Sequence, residues 1–165
     1  MSIRRLAAGD AQAYRDLMLQ AYALHPQAFT SSVSERAAMP MRWWESRLSS
    51  RLDVLLGAFV EHELVGIVGL SLEPREKARH KATLFGMYVA DSHRHAGLGY
   101  QLVQATLEEA RRHSFLRLVQ LTVTAGNDPA VRLYQRCGFV LYGLEPMAIR
   151  VDEDYLDKIH MWLEL

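Results

Sequence analysis

The stretch that decides the fold is Leu84–Ala110, LFGMYVADSHRHAGLGYQLVQATLEEA. An apolar run leads into a polar turn, Arg94-His95-Ala96-Gly97-Leu98-Gly99, and then into a segment of helical period. This reads as a buried strand, a glycine-bearing turn and an amphipathic helix. The first N–H groups of a helix have no intrahelical acceptor and lie at the positive end of its dipole, so such a turn is an anion site. Leu98, Leu102, Val103, Thr106, Leu107 and Ala110 form one stripe along the helix. The strand Ala82–Ala90 is apolar on both faces, which places it centrally in a sheet.

Upstream, Ser2–Leu6 reads as a short strand and Asp10 as the N-cap of a helix over Ala11–Leu24. Ala13, Leu17, Met18, Ala21 and Leu24 would form its apolar face. Gln27–Pro40 reads as an ordered loop with part of a second helix. Met41–Ser50 is helical and carries Trp43 and Trp44, which cannot both face one core. Val54–Glu61 and Leu64–Leu72 make a hairpin, in which Gly57, Gly66 and Gly69 signal a bulge or close packing.

Downstream, Leu116–Val123 is a strand. Asp128 would cap the next helix, with Pro129 at its first position and Gly138 at its stop. Phe139–Val151 and Tyr155–Leu163 form a last hairpin. The order β-α-α-β-β-β-α-β-α-β-β predicts an α+β, three-layer fold around a mixed, mostly antiparallel sheet. Its two parallel central strands are joined by a right-handed crossover. One domain over 1–165 is expected.

Composition narrows the function. The 165 residues are half hydrophobic, and 19 basic residues balance 19 acidic ones. No global positive field exists to hold nucleic acid. Cys137 is the sole cysteine and no Cys/His set has zinc-site spacing, so no metal is expected. No apolar run approaches the ~18 residues that span a bilayer, and the N-terminus lacks a signal-peptide core. A soluble, cytoplasmic protein without a membrane partner is the expectation.

R-x-x-G-x-G from Arg94 to Gly99 is a weak signal alone. Here it follows a strand ending in Met87-Tyr88-Val89 and precedes Asn127, Leu133-Tyr134 and Cys137-Gly138-Phe139. Together these resemble the GNAT N-acetyltransferase superfamily over nearly the whole chain. The resemblance implies acetyl-CoA as co-substrate. Its pyrophosphate would lie on the turn residues Arg94, His95, Ala96, Gly97, Leu98, Gly99 and Tyr100. Backbone groups around Met87, Tyr88 and Val89 would pair with pantetheine, the Met87 N–H polarising the thioester carbonyl. Asn127 would bond the cofactor arm, and Tyr134 would protonate the leaving thiolate.

The resemblance also exposes a gap. Members commonly carry a basic Glu eleven residues before the turn Arg, or another carboxylate on the next strand. Those positions are Thr83 and Thr122 here. Glu35, Glu145 and Glu73 are candidate replacements, although each also reads as an ordinary surface carboxylate. The implied activity is direct acetyl transfer to a primary amine of a small-molecule acceptor. A non-catalytic acyl-CoA-binding module, and acetylation of a protein N-terminus or lysine, are the alternatives. A closed pocket lined by Trp43, Trp44 or Tyr142 would favour the small amine, and a shallow groove the protein. The final hairpin is a candidate homodimer seam.

Overall fold

The computed structural model describes Met1–Leu165. The strands are β1 (Ser2–Arg5), β2 (Asp53–Val60), β3 (Glu63–Leu72), β4 (Lys81–Val89), β5 (Leu118–Thr124), β6 (Val140–Val151) and β7 (Asp154–Glu164). The helices are α1 (Ala11–Leu24), α2 (Val33–Ala37), α3 (Met41–Ser49), α4 (Leu98–Arg111) and α5 (Asp128–Arg136). The strands form one sheet in the order β1-β2-β3-β4-β5-β7-β6, antiparallel everywhere except between β4 and β5. Thus the α+β fold with one parallel central pair is as expected, with the short α2 a helix of its own between α1 and α3.

Two apolar layers sandwich the sheet. On one face, α4 and α5 pack Leu102, Val103, Leu107 and Tyr134 against Val68, Leu84, Leu121 and Met161. On the other, α1 and α3 pack Tyr14, Leu17, Met18 and Trp44 against Leu55, Ile67 and Tyr88. Trp44 is fully buried, edge-on to Tyr14, while Trp43 is half-buried beside it. The two tryptophans therefore do face different surroundings.

Glycine makes these contacts close. A Cβ on Gly69 would stand 2.4 Å from the Phe85 ring, and one on Gly66 2.9 Å from Leu102. The register also shifts between Ala58 and Phe59 in β2. Both a bulge and close packing are present.

Three local expectations need correction. The buried stripe of α1 is Ala11, Tyr14, Leu17, Met18, Ala21 and Tyr22, whereas Ala13 and Leu24 are exposed. The two tyrosines supply more apolar area than alanine and so set the rotation of the helix. Asp10 stands at the start of α1 but its carboxylate does not cap it. It accepts both guanidinium N–H groups of Arg4 at 2.9 Å and the Ala7 N–H at 2.8 Å, and the Arg4 bond holds its pKa down. At α5 the cap is Asn127 rather than Asp128: its Oδ1 accepts the Ala130 N–H at 3.4 Å. Gly138, at φ 102°, ends α5 as expected.

Candidate active site

β4 is the strand on which the site is built. It pairs with β5 only at Lys81–Leu118, Ala82–Val119 and Thr83–Gln120. Past Thr83 the two strands separate. Gly86, at φ 62°, lies where the β3–β4 register shifts, so β4 bulges there. The result is a V-shaped opening between Leu84–Val89 and Thr122–Asn127, part of a cleft of about 1060 Å³.

The cleft continues to the turn before α4. Gly97 adopts φ 77° and His95 φ 68°, both left-handed. No backbone or side-chain acceptor within the protein takes the N–H groups from His95 through Tyr100. The next N–H, of Gln101, bonds the Gly97 carbonyl at 3.1 Å. A row of unpaired donors at a helix start is an anion cradle. The two glycines differ in purpose. A Cβ on Gly97 would meet nothing, so that position serves the left-handed turn and open space for a ligand. A Cβ on Gly99 would sit 3.2 Å from both Leu133 and Met87, so Gly99 lets α4 close onto its neighbours.

Charge matches that geometry. Arg94, Arg136, His25, His93 and His95 line the cleft, and no carboxylate does. Arg94 is held at the rim: its Nε lies 2.9 Å from Asp91 Oδ1, and it also donates to the Val89 carbonyl at 3.3 Å. His25 Nε2 lies 3.0 Å from the same Asp91 oxygen and 3.2 Å from Arg94 Nη2. Thus the end of α1 is tied to the cradle. Neither His25 nor Arg136, stacked 4.9 Å from the Tyr100 ring, stood out in the sequence. Only the packing of α1 and α5 against the turn reveals them.

The structure brings Met87, Tyr88, Val89, Arg94, His95, Gly97, Leu98, Gly99, Tyr100, Asn127 and Tyr134 together on this cleft, with Ala96 in the same turn. Tyr134 is buried, edge-on to Phe139, and its hydroxyl has no partner within the protein. Burial, then the nearby Cys137 thiol, pushes its pKa above that of a free phenol. Burial likewise raises the Cys137 thiol.

The candidate bases are scattered. Glu35 is exposed and does not reach the cleft: it completes a capping box with Ser32 at the start of α2. Glu73 is engaged by Arg75 at 2.8 Å, which pulls its pKa down to about 2. Glu145 lies on β6 and bonds His160 Nε2 at 2.9 Å. His160 on β7 is the cross-strand partner of Thr122, which does line the cleft. The pairing needs three-strand register, so no sequence signal pointed to His160. Thr83 accepts from Gln120 Nε2 at 3.3 Å. Trp43, Trp44 and Tyr142 do not line the cleft.

A strand opening beside a glycine turn with a row of free N–H groups is the architecture that the sequence resemblance implied. The acetyltransferase (GNAT) family model matches residues 17–139. The chain belongs to that family. It is accordingly an N-acetyltransferase, of a family that uses acetyl-CoA.

Among characterised relatives, the L-methionine sulfoximine/L-methionine sulfone acetyltransferase of Pseudomonas aeruginosa is 29% identical over 124 residues, 74% of this chain and 71% of that protein. The L-amino acid N-acetyltransferase AaaT of Escherichia coli is 25% identical over 72% of this chain and 73% of that protein. Among solved structures, the ribosomal-protein-alanine N-acetyltransferase of Brucella melitensis aligns at TM-score 0.83 with 25% identity over 100% of both chains. The yncA protein of Salmonella typhimurium, solved with acetyl-CoA, shares the fold at TM-score 0.83 and 22% identity over 100% of this chain and 94% of that one. No helix of this family member is long and apolar enough to cross a membrane.

Proposed function

We propose that this acetyltransferase moves the acetyl group of acetyl-CoA directly to the primary amine of a small acceptor of the amino-acid class. The observation that carries the donor half is the unpaired N–H row from His95 to Tyr100, continuous with the opening between β4 and β5. A diphosphate fits the cradle, and an extended amide-bearing arm fits between two strands whose facing edges have no ladder. The amino-acid relatives, aligned over more than two thirds of this chain, support the acceptor class.

Bound acetyl-CoA supplies an activated thioester. In the overall exchange an N–C bond forms, the C–S bond breaks, the ammonium loses one proton and the sulfur gains one. This chain's residues divide the work. Met87 lies at the β4 bulge on the cleft wall, where its N–H would donate to the carbonyl oxygen. Asn127 keeps its side-chain N–H groups free while its Oδ1 caps α5, so it can donate to the arm. Tyr134, a phenol protonated at neutral pH whose pKa burial raises further, gives its hydroxyl proton to the sulfur. On the acceptor side, Glu145 orients His160 through Nε2, which leaves Nδ1 free to receive the ammonium proton through water, beside Thr122 on the neighbouring strand. Glu145 is thus a positioning residue and His160 the base. Glu35, a helix cap, has no part.

A panel of amino acids, simple amines and alanine-terminated peptides, assayed by release of free CoA thiol, tests this reading. The expected result is release with amino acids, lost on His160→Asn and lowered by Glu145→Gln. A second reading, acetylation of a protein N-terminus, is favoured by the full-length alignment to the Brucella enzyme. Release with peptides alone would establish it instead.

A further inference from the structure

The α1–α3 face of the sheet carries two arginines that no carboxylate answers. Arg36 on α2 and Arg47 on α3 both stack on the Trp43 ring, with guanidinium carbons 4.5 and 5.2 Å from its centroid. Arg47 also lies 5.1 Å from the Phe85 ring. Phe85 is part of the cleft wall, two residues before Met87. Neither arginine forms an ion pair with any carboxylate. The Nε of each is buried without a hydrogen-bond partner. Arg36 donates to Ser31 Oγ, at 2.9 Å, and also neighbours the Tyr22 hydroxyl, whereas Arg47 donates to no protein group.

Such an arrangement is costly if it serves the fold alone. A guanidinium offers five donors, and burying one without an acceptor forfeits hydration. Several other arginines also lack a carboxylate, but among the arginines only Arg36 and Arg47 bury an Nε without a partner. Stacking on Trp43, and for Arg47 also on Phe85, fixes the plane of each cation, and the Arg47 Nη groups have no protein acceptor. Planar, paired donors suit a carboxylate, which accepts two parallel bonds from a guanidinium. The field of the pair is felt locally: Arg36 and Arg47 both oppose the rise that burial imposes on the Tyr14 and Tyr22 phenols.

We infer that Arg36 and Arg47, aligned by Trp43 and Phe85, form the site that binds the carboxylate of an amino-acid acceptor while its amine points to the thioester end of the cleft. This rests on the amino-acid reading above and sharpens it. A peptide N-terminus has no free α-carboxylate, and a simple amine has none at all. The arginines would therefore select free amino acids over both.

The test uses the intact protein and an acid–amide pair, L-methionine sulfone and its carboxamide. Thiol release is measured as kcat/KM for each, in the unaltered protein and in Arg47→Met and Arg36→Met. Binding of each compound to the CoA-loaded protein is followed by calorimetry. The acid should exceed the amide at least about tenfold, as expected for hydrogen bonds to a charged group. In each variant that ratio should collapse toward unity, and the comparison within one variant is unaffected by a general loss of folded protein. Equal use and equal binding of acid and amide by the unaltered protein would overturn the arginine site while leaving the transferase reading intact. Binding of the acid alone without thiol release would support the site and remove amino-acid transfer. A ratio that survives in both variants would place the selectivity elsewhere and overturn the inference.

Discussion

Tyr134 lines the cleft, and under the proposed mechanism its burial has a kinetic consequence. A phenol whose pKa is raised keeps its proton across the neutral range, so loss of the acid form does not limit turnover at moderately alkaline pH. Tyr134→Phe should lower kcat by about a hundredfold, the lower end for positioned acid catalysis, with KM for acetyl-CoA within about twofold. Unchanged kcat would remove Tyr134 from the mechanism. At Gly97, φ 77° imposes a cost of about 1–2 kcal/mol on any residue with a Cβ, and the added methyl enters the anion cradle. Gly97→Ala should therefore weaken CoA binding roughly tenfold or more in calorimetry. The left-handed Gly97 turn could be placed in the sequence because its geometry is local, and Tyr134 was placed on the cleft by the family resemblance. His160 and Arg47 could not, since each acquires its neighbours only when distant elements dock.

At the scale of elements, the opening depends on β4 and β5 pairing at one end and separating at the other. Central strand, glycine turn and crossover helix were legible as Leu84–Ala110, because a both-sided apolar run followed by glycines and a 3.6-residue stripe admits few alternatives. The bulge at Gly86 was not, because nothing in a strand's residue pattern specifies a one-residue slip against its partner. The α5 cap was misplaced by one residue since Asn127 and Asp128 are both good caps and only the chain's path chooses. Phe85 needs Gly69 beneath it. Gly69→Ala puts a methyl 2.4 Å from the ring and should cost about 1–3 kcal/mol through overpacking. Thermal unfolding checks this, and an unchanged midpoint would mean that the ring moves freely. The same variant should disturb amine transfer, since Phe85 walls the cleft.

Across the whole molecule, the two layers have different polar loads. The α1–α3 layer buries Tyr14, whose pKa is pushed up to about 12 by burial. Its folded value thus exceeds the unfolded one near 10, so the unfolded chain releases a proton that the native state keeps. The contribution of Tyr14 is constant below about pH 10 and falls as pH rises toward 12, by up to about 3 kcal/mol. Denaturant melts across that range should show the loss, and Tyr14→Phe should lessen it without abolishing it, because burial raises Tyr22, Tyr88, Tyr134 and Cys137 as well. The cleft carries several cationic groups and no carboxylate, while the Glu145–His160 pair and the two stacked arginines lie outside its lining. This division of charge matches a polyanionic donor and an acidic acceptor meeting at β4. Thiol release from acetyl-CoA in the presence of L-methionine sulfone, with mass analysis of the product, tests that most directly. The account predicts CoA and a singly N-acetylated amino acid in equal amounts. Tight acetyl-CoA binding with no acetylated product from any amino acid would contradict it.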